Sequence, residues 1–116
     1  MQDSTLSRMA GMDPADMAEH ATQAAALLKA LAHPARLLVL CQLVEDEYSV
    51  GELQPMTGLS MSALSQHLSV LREMQLVATR REGQTVYYSL VRGPAVSVLG
   101  ALYQEFCAPT RSGRRR

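Results

Sequence analysis

The stretch LSMSALSQHLSVLREMQL, residues 59–76, decides how the rest of the chain is read. Ser60 offers a hydroxyl to a free backbone N–H of a first helical turn, and Gly58 suits the end of the element before it. Leu64, Leu68 and Leu71 recur at i, i+4 and i+7, which gives the helix one apolar face. Ser62, Ser65, Gln66 and Ser69 crowd the other face, which is polar and almost uncharged. Short hydroxyl and amide chains, with His67 beside them, can enter a DNA major groove and bond to base edges, where long acidic chains would be repelled by phosphate. The stretch reads as a recognition helix.

Working upstream, Asp13-Pro14 is an N-cap followed by proline at the first helical position, and a first helix runs to about Leu31. Met17, Ala21, Ala24, Leu28 and Leu31 line one of its faces, whose alanines let another helix approach closely; a dimer partner is one candidate. His33-Pro34 opens a second helix, with Leu37, Leu40, Cys41 and Val44 as its inward stripe before Glu45-Asp46-Glu47. Cys41 is thereby expected on the buried side. Ser49 and Glu52 have capping-box spacing and start a short third helix that stops at Gly58, so residues 49–76 form a helix-turn-helix.

Downstream, Val77 to Arg81 and Thr85 to Leu90 are β-rich runs around the loop Glu82-Gly83-Gln84. A basic-tipped hairpin beside a helix-turn-helix is a wing. Tyr87 and Tyr88 alternate across the strand, so one fills the core and the other faces out. Gly93-Pro94 starts a last helix in which Val96, Leu99, Tyr103, Phe106 and Cys107 share a side, with Cys107 in its final turn. The expected fold is mainly α with a two-stranded β-wing. Residues 1–12 lack periodicity and are expected to be disordered, residues 13–108 to form one DNA-binding and dimerisation domain, and residues 109–116 to be a disordered basic tail.

The 116 residues allow one domain with a core of moderate size, which a partner subunit could enlarge. A net charge of zero conceals opposite halves: residues 1–58 hold three Lys/Arg and eight Asp/Glu, residues 59–116 eight and three. The positive half carries the candidate reading helix, although Arg111, Arg114, Arg115 and Arg116 supply part of the excess. That tail either adds nonspecific phosphate attraction or is a solvated end. No apolar run reaches the roughly 18–20 residues of a membrane span, so a cytoplasmic protein without membrane association is expected.

From Leu31-Ala32-His33-Pro34-Ala35-Arg36-Leu37 onward the chain resembles the ArsR/SmtB family of bacterial winged-helix repressors. The likeness continues through Ser60-Met61-Ser62-Ala63-Leu64-Ser65-Gln66-His67-Leu68 and the wing Arg81-Glu82-Gly83-Gln84-Thr85-Val86-Tyr87-Tyr88, covering roughly residues 14–107. It implies a homodimer, paired through first and last helices, that reads palindromic double-stranded operator DNA. By the same resemblance Ser62, Ala63, Ser65, Gln66 and His67 face bases or phosphates, and Arg80, Arg81 and Gln84 belong to the wing. His67 taken alone is either a DNA contact or part of local packing.

Many members of that family sense metals, and here this chain departs from them. Ser49-Val50-Gly51 stands where a Cys-x-Cys pair would open the third helix, and the last helix lacks the Asp-x-His and His-x-x-Glu pattern of zinc sensors. No metal site and no cofactor is expected. One cysteine in the second helix and one in the last resemble the family's dithiol, persulfide-sensing branch, which implies release from DNA when a small sulfur donor links Cys41 and Cys107. A general thiol-redox or haem-responsive repressor is the alternative. Without the resemblance, two cysteines 66 positions apart read as small buried hydrophobes. No Cys-x-x-Cys and no activating base is visible, so no enzyme is expected.

Overall fold

The structure, a computed structural model, describes residues 2–107, and their side chains from Thr5 onward. In chain order the elements are α1 (Gln2–Ala10), α2 (Pro14–Leu31), α3 (Pro34–Gln42), β1 (Tyr48–Ser49), α4 (Val50–Thr57), α5 (Met61–Glu73), β2 (Val77–Glu82), β3 (Thr85–Leu90) and α6 (Pro94–Phe106). Val39, Leu40 and Leu43 from α3 and its C-cap meet Leu53 of α4 and Leu64, Leu68 and Leu71 of α5 in an almost fully buried centre. Leu76, Val77, Leu90, Ala95 and Leu99 extend that core under the sheet and the first half of α6.

Polar side chains fix where the helices begin. Asp13 accepts the Ala15 N–H at 3.1 Å, and the His33 ring accepts the Ala35 N–H through Nδ1 at 3.2 Å. At α4 both halves of the capping box form: Ser49 Oγ accepts the Glu52 N–H at 3.2 Å, and Glu52 Oε1 accepts the Ser49 N–H at 2.9 Å. Gly58 then closes α4 in the left-handed region at φ 73°, and Ser60 Oγ accepts the Ala63 N–H at 3.1 Å to open α5. These contacts produce the helix-turn-helix that the sequence leads one to expect.

The end of α5 is a Schellman motif. The Leu76 N–H donates to the Leu71 carbonyl and the Gln75 N–H to that of Arg72, each at 2.9 Å, while Leu71 and Leu76 are both buried. The residue forced into the left-handed region is Gln75, at φ 62°, the sole positive-φ residue other than glycine among those described. The motif turns the chain from the reading helix straight into β2.

Three strands pair antiparallel in the order β1-β3-β2, a correction to the expected two-stranded wing. The added strand is two residues long, pairing Tyr48 with Tyr88 and Ser49 with Tyr87, too short for any alternation to show in the sequence. Glu82 pairs with Thr85, leaving a two-residue loop in which only Gly83 has positive φ, as in a type II′ turn. Pairing of Val77 with Leu90 sets the faces: Val77, Thr79 and Arg81 point to the core side, Ala78, Arg80 and Glu82 away. Tyr88 packs on the core and Tyr87 lies on the outward face.

Two further expectations change. Residues 2–10 form a helix rather than a disordered segment; Leu, Met, Arg, Gln and Ala are strong helix formers, although none of the described residues 5–11 is buried. On α2, whose stripe the sequence leaves open to another helix, Leu31 and Ala30 reach the core while Met17 and Leu28 are exposed. Cys41 is exposed rather than inward, because the buried face of α3 runs through Val39, Leu40 and Leu43, about one position round from the expected stripe. The expectation for residues 109–116 lies outside the described residues. No single helix among those described is long and apolar enough to cross a membrane.

Gln75 supplies a test of the α5 exit. A non-glycine residue held at positive φ costs about 1–2 kcal/mol, partly offset by glycine's larger loss of freedom on folding. Gln75→Gly is therefore expected to raise stability by about 0.5–1 kcal/mol in urea unfolding; a loss of stability would mean that the Gln75 side chain, not the backbone, holds the turn.

Candidate DNA interface and thiol pair

Because Leu64, Leu68 and Leu71 anchor α5 by one face, the opposite face is presented as the sequence suggests. Ser62, Ser65, Gln66 and Ser69 are exposed along it, and Ala63 is half-buried, its N–H held by the Ser60 cap. His67 is placed differently. It is half-buried on the flank of α5, where its Nδ1 accepts the Arg36 Nε–H at 3.4 Å and its ring meets that of His33 edge-on at 4.5 Å. His67 thus meets Arg36 and His33 beside the outer polar row of α5.

Arg36 was not singled out in the sequence, yet it ties three helices together. Besides His67 on α5 it holds the Ala30 carbonyl at the end of α2, through Nη1 at 3.1 Å. Desolvation, then the neighbouring charges of His33 and Arg36, push the His67 pKa below its ordinary value. An acceptor Nδ1 facing a guanidinium N–H requires the neutral ring.

On the wing, Arg81 and Gln84 are exposed, and among the described residues Arg81 has no ion pair. Arg80 is engaged instead. Its Nη2 and Nε donate to Oε2 and Oε1 of Glu47 at 2.7 and 3.2 Å, its Nη1 to Glu82 at 3.3 Å, and its guanidinium lies 4.8 Å from the Tyr87 ring centre. Glu47 lies in the segment between α3 and β1. Nothing in the linear sequence signals this pairing, because it depends on the unseen strand β1.

Cys41 and Cys107 are both free and exposed. The polypeptide that surrounds Cys41 still removes enough water to push its thiol above the ordinary value, and a charge on Cys107 adds to the effect. No basic group offsets either influence on Cys41. Cys107 caps α6, its N–H donating to the Tyr103 carbonyl at 2.8 Å. Among the described residues no group of three or more His, Cys, Asp or Glu is placed to hold a metal ion.

Residues 33–79, which span the Arg36 junction, the helix-turn-helix and the start of the wing, match the family model described as bacterial regulatory protein, arsR family. A biofilm growth-associated repressor of Agrobacterium fabrum is 48% identical over 93 residues, which are 80% of each chain. The chain belongs to the arsR family of bacterial regulatory proteins. The crystal structure of the transcriptional repressor BigR from Xylella fastidiosa superposes with a TM-score of 0.75 at 46% identity, covering 84% of this chain and 99% of BigR. Reduced HlyU from Vibrio cholerae gives 0.76 at 44% identity over 80% of this chain and 98% of that one. As a member of this family the chain is a DNA-binding transcriptional regulator with a winged helix-turn-helix, not an enzyme.

The His67 environment sets a pH dependence. A base whose pKa is lowered by folding contributes stability that is complete above its unfolded value near 6.5 and lost as pH falls below it, because the unfolded chain then binds more protons. Lowering pH from 7.5 to 5.5 is expected to reduce the urea midpoint of the wild-type protein more than that of His67→Gln. Equal reductions would show that the Arg36–His67–His33 junction carries no such linkage.

Proposed function

We propose that this regulator is a repressor that leaves its operator when reactive sulfur species join Cys41 to Cys107 within one subunit. The observation that carries the reading is that two cysteines 66 positions apart in sequence are both free and exposed, one on α3 and one at the C-cap of α6, and that the influences raising the Cys41 pKa include Cys107. Two free thiols without a third ligand among the described residues suit covalent chemistry better than metal binding. BigR is described as a transcriptional repressor, which supports the repressor part of the reading.

In the first step a cysteine thiolate attacks the sulfane sulfur of a persulfide and expels the donor's thiolate, becoming a cysteine persulfide. Attack of the second thiolate on its inner sulfur expels hydrosulfide and leaves a disulfide. Where both cysteines are persulfidated, one attacks the other, hydrogen sulfide departs and a trisulfide remains. The longer bridge spans a wider gap than a disulfide, whose Cα atoms must lie within about 4.4–6.8 Å.

The bridge acts on a dimer. Leu28 on α2 and Tyr103 and Phe106 on α6 are 55%, 51% and 81% exposed, an apolar surface that a second copy pairing through α2 and α6 would cover. DNA binding then uses Ser62, Ala63, Ser65 and Gln66 from each α5, with Arg81 and Gln84 on each wing, to read a palindromic operator in the cytoplasm. The two reading helices must sit one helical turn apart, about 34 Å, to enter successive major grooves. A covalent link from α3, which packs against α4 and α5, to α6 in the dimer face ties that spacing to the state of the thiols.

Intact-protein mass spectrometry with thiol capping tests the chemistry, comparing glutathione persulfide, glutathione disulfide and peroxide. The expected product appears only with persulfide: both cysteines blocked to capping, at the mass of one or more added sulfurs less two hydrogens, or of a plain disulfide. Equal loss of two hydrogens with every oxidant would make the pair a general redox switch. No reaction at either cysteine would remove the proposal.

A further inference from the structure

The wing carries adjacent arginines that the structure treats oppositely. Arg81 lies on the sheet face that continues from Val77 and Thr79, exposed and without an ion pair among the described residues. Arg80 lies on the other face, and each of its guanidinium nitrogens has a carboxylate oxygen within 3.3 Å. Its Nε and Nη2 grip both oxygens of Glu47 side by side, the same two-donor fork that an arginine offers a phosphate. Tyr87 supports the planar group from one face.

We propose that Glu47 is a positioning residue that stands in for a phosphate, withholding Arg80 from the DNA backbone and leaving Arg81 to carry the wing's phosphate contact. One arginine between two carboxylates makes the cluster net negative, so an approaching phosphate meets repulsion and must displace Glu47 before it can use the fork. The exchange is possible because the pair is half in water, with side-chain exposures of 49% for Arg80 and 34% for Glu47. Glu47 thereby holds down affinity that is independent of sequence, and raises the share of binding that depends on α5 and the bases.

A double-mutant cycle read by DNA binding tests this. The probe is a palindromic duplex selected from random sequence by the wild-type protein, with each affinity measured across a salt series. Glu47→Ala is expected to tighten binding about three- to tenfold at low salt and to steepen the slope of log K against log salt by about one, the signature of one added phosphate contact. Arg80→Ala alone is expected to change affinity less than about twofold, and Glu47→Ala with Arg80→Ala to return within about twofold of wild type, whereas Arg81→Ala weakens binding about three- to tenfold. No tightening in Glu47→Ala overturns the proposal. So does a double variant as tight as Glu47→Ala alone, since removal of a negative charge would then explain the gain without Arg80. A loss in Arg80→Ala matching that in Arg81→Ala also overturns it, because Arg80 would already be on the DNA.

Discussion

Leu64, Leu68 and Leu71 have to stay out of water, and the single face of α5 that carries them decides what its other face can do. Burial of each leucine is worth roughly 1.5–3 kcal/mol, against about 1 kcal/mol for a typical cap and about 0–1 kcal/mol for a surface pair. They seat on Val39, Leu40, Leu43 and Leu53, so α3 and α4 hold the reading helix at fixed depth and rotation. Ser60 sets where that helix starts and the Gln75 turn where it stops, and the chain passes directly from there into the wing. The polar row from Ser62 to Ser69 is presented outward because nothing else is left for it to do.

Charge on this surface is managed by pairing more than by number. Of the wing's two arginines, one is bound to an acid that arrives from the segment between α3 and β1, and the other points along the face that the core helices share. Arg36 plays the corresponding part inside, joining the end of α2 to α5 through His67. In both places a guanidinium fork holds together elements that are distant in sequence.

The helix starts, the capping box, the αL stop at Gly58 and the leucine face of α5 were legible because each is written within a few consecutive residues. Tertiary facts were not. β1 has two residues and no pattern of its own, so neither the third strand nor the Glu47–Arg80 pair that depends on it could be read. Cys41 was expected inside because Leu37, Leu40, Cys41 and Val44 make a plausible stripe; Val39, Leu40 and Leu43 make an equally plausible one, and only packing against α4 and α5 chooses between them. The packing of His67 depends on Arg36, 31 positions away, which no local pattern reveals. The uncovered apolar residues of α2 and α6 belong to the same class, since in the proposed dimer the surface that covers them lies on another chain.

The regulatory account places the thiols on α3 and at the end of α6, one helix packed against the reading unit and the other in the proposed dimer face. Its central claim is that a covalent bond between them is felt at the operator. The most direct measurement is the operator affinity of the protein after complete linkage of Cys41 to Cys107, purified away from the reduced form, against the same protein after reduction. A loss of at least about tenfold on linkage, restored by reduction and absent in Cys41→Ser, is the expected result and corresponds to a coupling of about 1.4 kcal/mol. Equal affinity of the linked and reduced proteins would contradict the account.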